Sequence, residues 1–229
     1  MFASGTGAAA RAATLSTCAS SHYAYAGVQS LRRGFGARAD VSALTIPAVA
    51  SGHVAAWVGV GDPHAGPNGS AEWLQVGIAA FGEGKLNLYY EVAVPAQPAR
   101  YTELATDLPF GRPFRLAVLE MAGRPNRWRV WVDGQPSSRP IYLPGSHHRW
   151  QPMATSEMWL PGSSPCNEFQ FRFGSVAIAG RPGGSWLKLG DHYEFADSGY
   201  QVSPLSRTSF VAARAPAASA LRRLVRVGG

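Results

Sequence analysis

The motifs of several common enzyme classes are absent from this sequence. It contains no nucleophile elbow, no phosphate-binding P-loop and no Rossmann glycine pattern. No run reaches the ~18 apolar residues that a membrane-spanning helix needs, so we expect no transmembrane segment. No segment shows a long helical period, and no internal repeat is visible. The absence of a long helical period leaves short strands as the main elements of the fold.

Histidines are few, and they lack the spacing of metal ligands. The adjacent His147 and His148 would point apart on an extended chain, and neither an HxH nor an HExxH pattern occurs. We expect these two residues, together with His53 and His64, to be solvated loop histidines. The sequence therefore predicts neither a metal nor another cofactor.

Lysine and acidic residues are scarce beside arginine. The chain has 21 basic and 14 acidic residues, for a net charge of +7, and only Lys85 and Lys188 are lysines. A pI near 9.8 is compatible with nucleic-acid binding. However, the arginines are scattered, and the single dense basic run lies at the C-terminus. Without a basic stripe we expect no nucleic-acid partner.

Turn residues and alternating apolar segments are what the sequence has in abundance. It contains 26 glycines and 17 prolines, which suits many short strands joined by turns. In residues 72–81, EWLQVGIAAF, alternate side chains of a strand point to opposite faces, and Leu74, Val76, Ile78 and Ala80 form a core face. The opposite face carries an uncharged amide among aromatic residues: Trp73, Gln75, Gly77, Ala79 and Phe81.

The same division recurs in residues 53–60, 86–94, 127–133 and 153–160. Each segment alternates apolar side chains with a second set of Trp, Tyr, Asn, Arg, Thr or Glu. One aromatic residue on a wet face is ordinary, but a recurring mixed face predicts a groove. Further candidate strands are residues 21–30, 41–47, 101–105, 114–121, 171–178, 185–189 and 193–202.

Five short segments carry a family resemblance. They are WVGVGD (57–62), LQVGI (74–78), YYEVAV (89–94), SEMWL (156–160) and FRFGSVAI (171–178). In that order they resemble the glutamic peptidases, also called the eqolisin family. The resemblance implies an all-β fold, namely an antiparallel two-sheet β-sandwich of the concanavalin A-like, jelly-roll type.

A catalytic pair follows from the same resemblance. The family's glutamine lies in an LQ-x-G strand and its glutamate lies just before a strand tryptophan, which by motif are Gln75 and Glu157. Glu157 would act as general base on a water and then as general acid toward the leaving nitrogen, while Gln75 would donate to the developing oxyanion. The expected activity is an acid endopeptidase acting on polypeptides. Six residues are expected to bind substrate: Trp57, Trp73, Tyr89, Glu91, Trp131 and Trp159.

Two departures from the family pattern keep a second interpretation open. The acidic residue that usually follows the LQ-x-G motif is replaced by Ala79, and Met158 separates the glutamate from Trp159. A non-catalytic extracellular module that binds carbohydrate or peptide would use the same aromatic groove. A structural surface protein of an exporting bacterium is a third interpretation.

Export is implied by the resemblance and by the two cysteines. It is not implied by a signal peptide, because the N-terminus lacks the basic and apolar regions of one. In exported material we expect a Cys18–Cys166 disulfide, and the loop-entropy model gives on the order of 5 kcal/mol for so long a closed loop. We expect a monomer with a flexible N-terminal arm at residues 1–20, a single sandwich domain at 21–211 and a basic flexible tail at 212–229.

Overall fold

The computed structural model describes residues 23–160 and 167–215, and within these ranges the chain forms sixteen strands. Within those ranges the only helical elements are two 3₁₀ turns, at Pro67–Gly69 and Gly82–Gly84, and no helix has the length and apolarity that crossing a membrane requires. The strands are β1 (Tyr23–Ser30), β2 (Gly36–Ala43), β3 (His53–Asp62), β4 (Glu72–Ala80), β5 (Leu86–Ala93), β6 (Arg100–Ala105), β7 (Phe114–Glu120), β8 (Arg127–Val132), β9 (Gln135–Pro136), β10 (Ile141–Tyr142), β11 (Met153–Trp159), β12 (Gln170–Arg181), β13 (Gly184–Lys188), β14 (His192–Ala196), β15 (Tyr200–Ser206) and β16 (Ser209–Arg214).

These strands form two antiparallel sheets. One has seven strands in the order β14-β1-β11-β3-β4-β5-β6. The other has nine strands and follows the path β10-β8-β7-β2-β12-β16-β15, with β13 paired to β12 and β9 paired to β8. The predicted all-β sandwich of two antiparallel sheets is confirmed, and its connections bring strands that are distant in sequence side by side.

The apolar faces of both sheets meet in one core, as the alternation predicts. On β4, Leu74, Val76 and Ile78 are each at most 1% exposed. From the nine-stranded sheet, Phe171 and Phe173 are fully buried against the same core. Complete burial of such a side chain stabilises the fold by about 1.5–3 kcal/mol, so these repeated core faces drive the packing of the two sheets against each other.

Three predicted boundaries are wrong. The second strand is Gly36–Ala43 and not 41–47, because its inward residues before Val41 are small alanines that give a weak apolar signal. Residues 193–202 are interrupted after Ala196 by a turn whose Gly199 has a φ of +90°. The last strand runs through Arg214 with Ala212 fully buried, so residues 212–214 belong to the sandwich and not to the expected tail.

Candidate active site

The outer face of the seven-stranded sheet carries a groove of about 550 Å³. β1, β11, β3, β4 and β5 are consecutive neighbours in this sheet, so their outward side chains form one continuous surface. The walls and floor of the groove include Tyr25, His53, Trp57, Gln75, Glu91 and Glu157.

Register along these strands sets where the two predicted catalytic residues lie. Glu157 on β11 is opposite Ala55 on β3, and Gln75 on β4 is opposite Gly59, also on β3. The two residues therefore share a face and a groove but are separated by one strand and by four positions along it. Trp57 occupies the outward position midway between them on β3.

Both carboxylate oxygens of Glu157 have partners. Trp57 donates its indole Nε1–H to Oε2 at 3.0 Å, and Nε2 of His53 lies 3.1 Å from Oε1. The carboxyl group is nearly buried, with the residue 8% exposed. A buried carboxylate costs free energy unless it accepts hydrogen bonds, so these two contacts stabilise it and fix its orientation toward the groove.

Gln75 lies against a second acidic residue. Its Nε2 is 3.4 Å from the hydroxyl of Tyr89, to which it donates, and its cross-strand neighbour is Glu91 on β5. Burial raises the pKa of Glu91, the negative charge of Glu157 raises it further, and a hydrogen bond from Trp73 lowers it. The groove thus contains two carboxyl groups within electrostatic reach of each other, on either side of Trp57.

A glycine creates the space that two aromatic side chains need, one on the floor of the groove and one beneath it. A Cβ at Gly77 would lie 2.5 Å from the carbonyl oxygen of Ala56, 2.7 Å from Cβ of Trp57 and 3.0 Å from a ring carbon of Tyr89. Real Cβ atoms do not approach backbone atoms so closely. Gly77 therefore allows Trp57 and Tyr89 to pack from both sides.

Tyrosines of β1 line the side of the groove next to Glu157. Tyr23 and Tyr25 stack with ring centroids 6.1 Å apart, and their spacing of two residues places both on one face of β1. Burial raises the pKa of Tyr25, and the charge of Glu157 raises it further. The hydroxyl of Tyr25 therefore stays protonated over the physiological pH range and is available as a hydrogen-bond donor.

The predicted substrate-binding residues are not all found in the groove. Trp57, Trp73 and Glu91 line it. Trp159 lies at its margin, partly buried, and stacks on His53 at 5.8 Å. Tyr89 is buried beneath the floor, at 2% exposure, where it packs against Trp57.

Trp131 is a correction. It lies on β8 and pairs with Ala117 of β7, so it belongs to the nine-stranded sheet and not to the groove. Alternation places Trp131 on a non-core face, but the outer faces of two packed sheets point in opposite directions. The side-chain period shows which face of its own strand a residue occupies, and not which sheet contains that strand.

His53 is the main site residue that the prediction missed. It lies on a strand and contacts Glu157, so the expectation of a solvated loop histidine is wrong. Its position four residues before Trp57 places both side chains on one face, and that parity was the available signal. His147 is also paired, with Nδ1 3.0 Å from the buried carboxylate of Glu120. Among the described residues, no group of three or more His, Cys, Asp or Glu side chains could hold a metal ion.

The arrangement of the two sheets has solved counterparts. No protein-family model matches the chain, and no curated protein matches it. Scytalido-glutamic peptidase with a peptide-based transition-state analogue is 16% identical, with 84% of this chain and 98% of that chain covered and a TM-score of 0.59. SCP-B, a member of the eqolisin family in a complex with the tripeptide Ala-Ile-His, is 16% identical over 84% of this chain and 98% of that chain, with a TM-score of 0.55. The chain therefore has the fold of the eqolisin glutamic peptidases.

The predicted disulfide lies outside what the structure describes. Neither Cys18 nor Cys166 is among residues 23–160 and 167–215. The Cys18–Cys166 pairing stays a prediction.

Proposed function

We propose that this protein hydrolyses peptide bonds in the groove, with Glu157 as the proton carrier and Gln75 as the amide donor. The observation that carries the proposal is the setting of Glu157: a nearly buried carboxylate, held by Trp57 and His53, in the same groove as Gln75. The shared fold with glutamic peptidases, two of which are solved with a peptide-based inhibitor or a tripeptide, supports a polypeptide substrate.

The reaction would begin with an extended polypeptide lying across the groove above Trp57. Glu157 removes a proton from a water as the water oxygen attacks the carbonyl carbon of the substrate. Gln75 donates its amide N–H to the oxygen that becomes negatively charged. Glu157 then returns the proton to the peptide nitrogen, the C–N bond breaks, and a carboxylic acid and an amine leave.

Trp57 has two roles in this scheme. Its indole N–H donates to one oxygen of Glu157 and helps to hold the carboxylate in its orientation. Its ring occupies the outward position of β3 between Glu157 and Gln75, where it would support the substrate backbone. The carbonyl group to be cleaved would lie above this ring, between Glu157 and Gln75, so that both side chains act on the same carbonyl.

Acid conditions should favour the reaction. One carboxyl group that serves as base and then as acid works best where the pH is near its pKa. An ordinary glutamate titrates near about pH 4.3. We therefore propose an acid endopeptidase that acts outside the cell on unfolded polypeptides.

The alternative is a groove that binds without catalysis. It is favoured by the chain's departures from the family motifs: Met158 is buried in the core at 1% exposure, which turns Trp159 to the groove face beside Glu157, and Ala79 is buried at 2% exposure. The groove then lacks the usual acidic residue and gains an aromatic one. Such a surface would bind a glycan or a peptide by contact alone.

A cleavage assay separates the two functions. Denatured polypeptide is incubated with the protein from pH 3 to pH 8, and the new termini are identified by mass spectrometry. We expect cleavage with its maximum in acid, and Gln75→Ala should lower kcat by a factor on the order of 10²–10³, as for the loss of one oxyanion donor. Saturable binding of a glycan without cleavage at any pH would establish the alternative.

A further inference from the structure

Aromatic side chains form a row at one end of the groove, across neighbouring strands. Tyr23 on β1 is the register partner of Trp159 on β11, and Trp159 is the partner of His53 on β3. Phe81 follows the last residue of β4, next to His53. Ring centroids are 6.4 Å apart from Tyr23 to Trp159, 5.8 Å from Trp159 to His53 and 5.6 Å from His53 to Phe81. The row continues to Tyr101 on β6, 6.0 Å from Phe81.

This aromatic row (Tyr23, Trp159, His53, Phe81 and Tyr101) is open to solvent along much of its length. Tyr23 is 47% exposed, Phe81 40% and Tyr101 39%. Single exposed aromatic residues are common on protein surfaces, but a contiguous line of them marks an interaction surface. The row leads from the groove past Phe81, which also lines a second cavity of about 260 Å³ with Lys85, Asn87 and Asp107.

The middle of the row contacts the proposed catalytic carboxyl group. Nε2 of His53 is 3.1 Å from Glu157, and the outward positions of Glu157 and Trp159 are consecutive on β11. From His53, the two centroid steps to Phe81 and Tyr101 are 5.6 and 6.0 Å. Together these steps match about three to four residues of extended chain at about 3.3 Å each.

Ring orientation favours a peptide side chain over a sugar at the far end of the row. The rings of Phe81 and Tyr101 are inclined at 82° to each other, and those of His53 and Phe81 at 57°. Rings so inclined do not form one flat platform on which a sugar ring could stack. An aromatic side chain of a peptide can pack edge-to-face against the exposed surface of such a pair, which is a preferred aromatic geometry.

We propose that Phe81 and Tyr101 form a remote subsite for an aromatic or large apolar side chain of an extended polypeptide. This side chain would lie three to four residues from the bond held at Glu157. The inference rests on the proposed function, since it places a second contact on the same substrate, and it identifies the substrate class as an extended polypeptide with an aromatic or large apolar residue at this distance from the cleaved bond.

The test compares two matched peptides as substrates of the whole protein. One carries Phe at the position four residues from the cleaved bond and the other carries Ser. We expect the wild-type protein to prefer the Phe peptide about five- to tenfold in KM, and Phe81→Ala and Tyr101→Ala to remove that preference. Phe110→Ala is the control, because Phe110 is also 40% exposed but lies in the turn between β6 and β7. The control should keep the preference.

Binding measurements separate this inference from the proposed function. The affinity of each fluorescent peptide for the Glu157→Gln variant is measured by anisotropy, with and without Phe81→Ala. If cleavage is never detected but the Phe peptide binds more tightly and loses that advantage with Phe81→Ala, the subsite stands and the catalytic proposal fails. Equal KM values or equal affinities for the Phe and Ser peptides would overturn the subsite. Displacement of the Phe peptide by a neutral oligosaccharide would overturn it as well.

Discussion

Glu72 is a buried carboxyl group at the start of β4, opposite Asp62 of β3. It is fully buried, and neither carboxylate oxygen has a hydrogen-bond partner among the described residues. Burial raises its pKa from 4.5 to about 7, and the positive charge of Arg149 opposes the rise. The fold therefore holds a carboxyl group that is ionised only at some cost, outside the proposed catalytic pair.

This pKa shift sets a stability window. The pKa of Glu72 is higher in the folded state than in the unfolded state, so the fold favours the neutral acid. The stability that depends on this neutral form is fully present below about pH 4.5, and it is lost as the pH rises through about 7. One pKa unit corresponds to 1.36 kcal/mol, so this shift amounts to about 3 kcal/mol. The loss is a large fraction of the about 5–15 kcal/mol that stabilises a typical domain.

Glu72→Gln removes the titrating group and keeps the shape of the side chain. At pH 4 the variant and the wild type should have similar free energies of unfolding in urea. At pH 8 the variant should be more stable, by up to about 3 kcal/mol. Glu194→Gln serves as the control, because Glu194 is exposed, and it should show no comparable change between the two pH values. Equal stability differences at pH 4 and pH 8 for Glu72→Gln would refute the reasoning.

Four other outcomes are expected. Gly77→Ala should destabilise the fold by about 1–3 kcal/mol in a thermal melt and reduce cleavage, because its Cβ would overlap Trp57; an unchanged melting curve would contradict this. Trp57→Phe keeps a ring but removes the donor to Glu157, and steady-state kinetics should show kcat lower by about ten- to a hundredfold. Trp131→Ala should leave KM for polypeptide unchanged, and a raised KM would mean that Trp131 takes part in substrate binding. Asn167→Ala should cost about 1–3 kcal/mol in urea unfolding, since this buried amide accepts from the backbone of Ala50 at 2.8 Å; no loss would mean that another group replaces it.

Alternation in single strands was enough to predict most of the core and one face of the site. The period of two placed Leu74, Val76 and Ile78 inside and Gln75 outside, because in-out direction depends only on local backbone geometry. Strand neighbours depend on long connections, which leave no local trace. For that reason the separation of Gln75 from Glu157 by β3 could not be predicted, and neither could the location of Trp131 on the other sheet.

The contacts that define the site are also products of register. His53 reaches Glu157 because β3 pairs with β11 in a register that brings Trp159 opposite His53. A shift of one residue would turn one of these side chains to the core. Sequence parity identified the candidates on each strand, and the pairing of the strands selected which of them meet.

The identity of the catalytic carboxyl group is the most direct test of the proposed peptidase. The groove holds two acidic residues, Glu157 beside Trp57 and Glu91 directly opposite Gln75. Cleavage of one peptide at its optimal pH is compared for the wild type, Glu157→Gln and Glu91→Gln, with folding verified by circular dichroism. We predict that Glu157→Gln abolishes turnover while still binding peptide, and that Glu91→Gln remains active with an altered KM. Full activity in Glu157→Gln, or a loss confined to Glu91→Gln, would contradict the assignment.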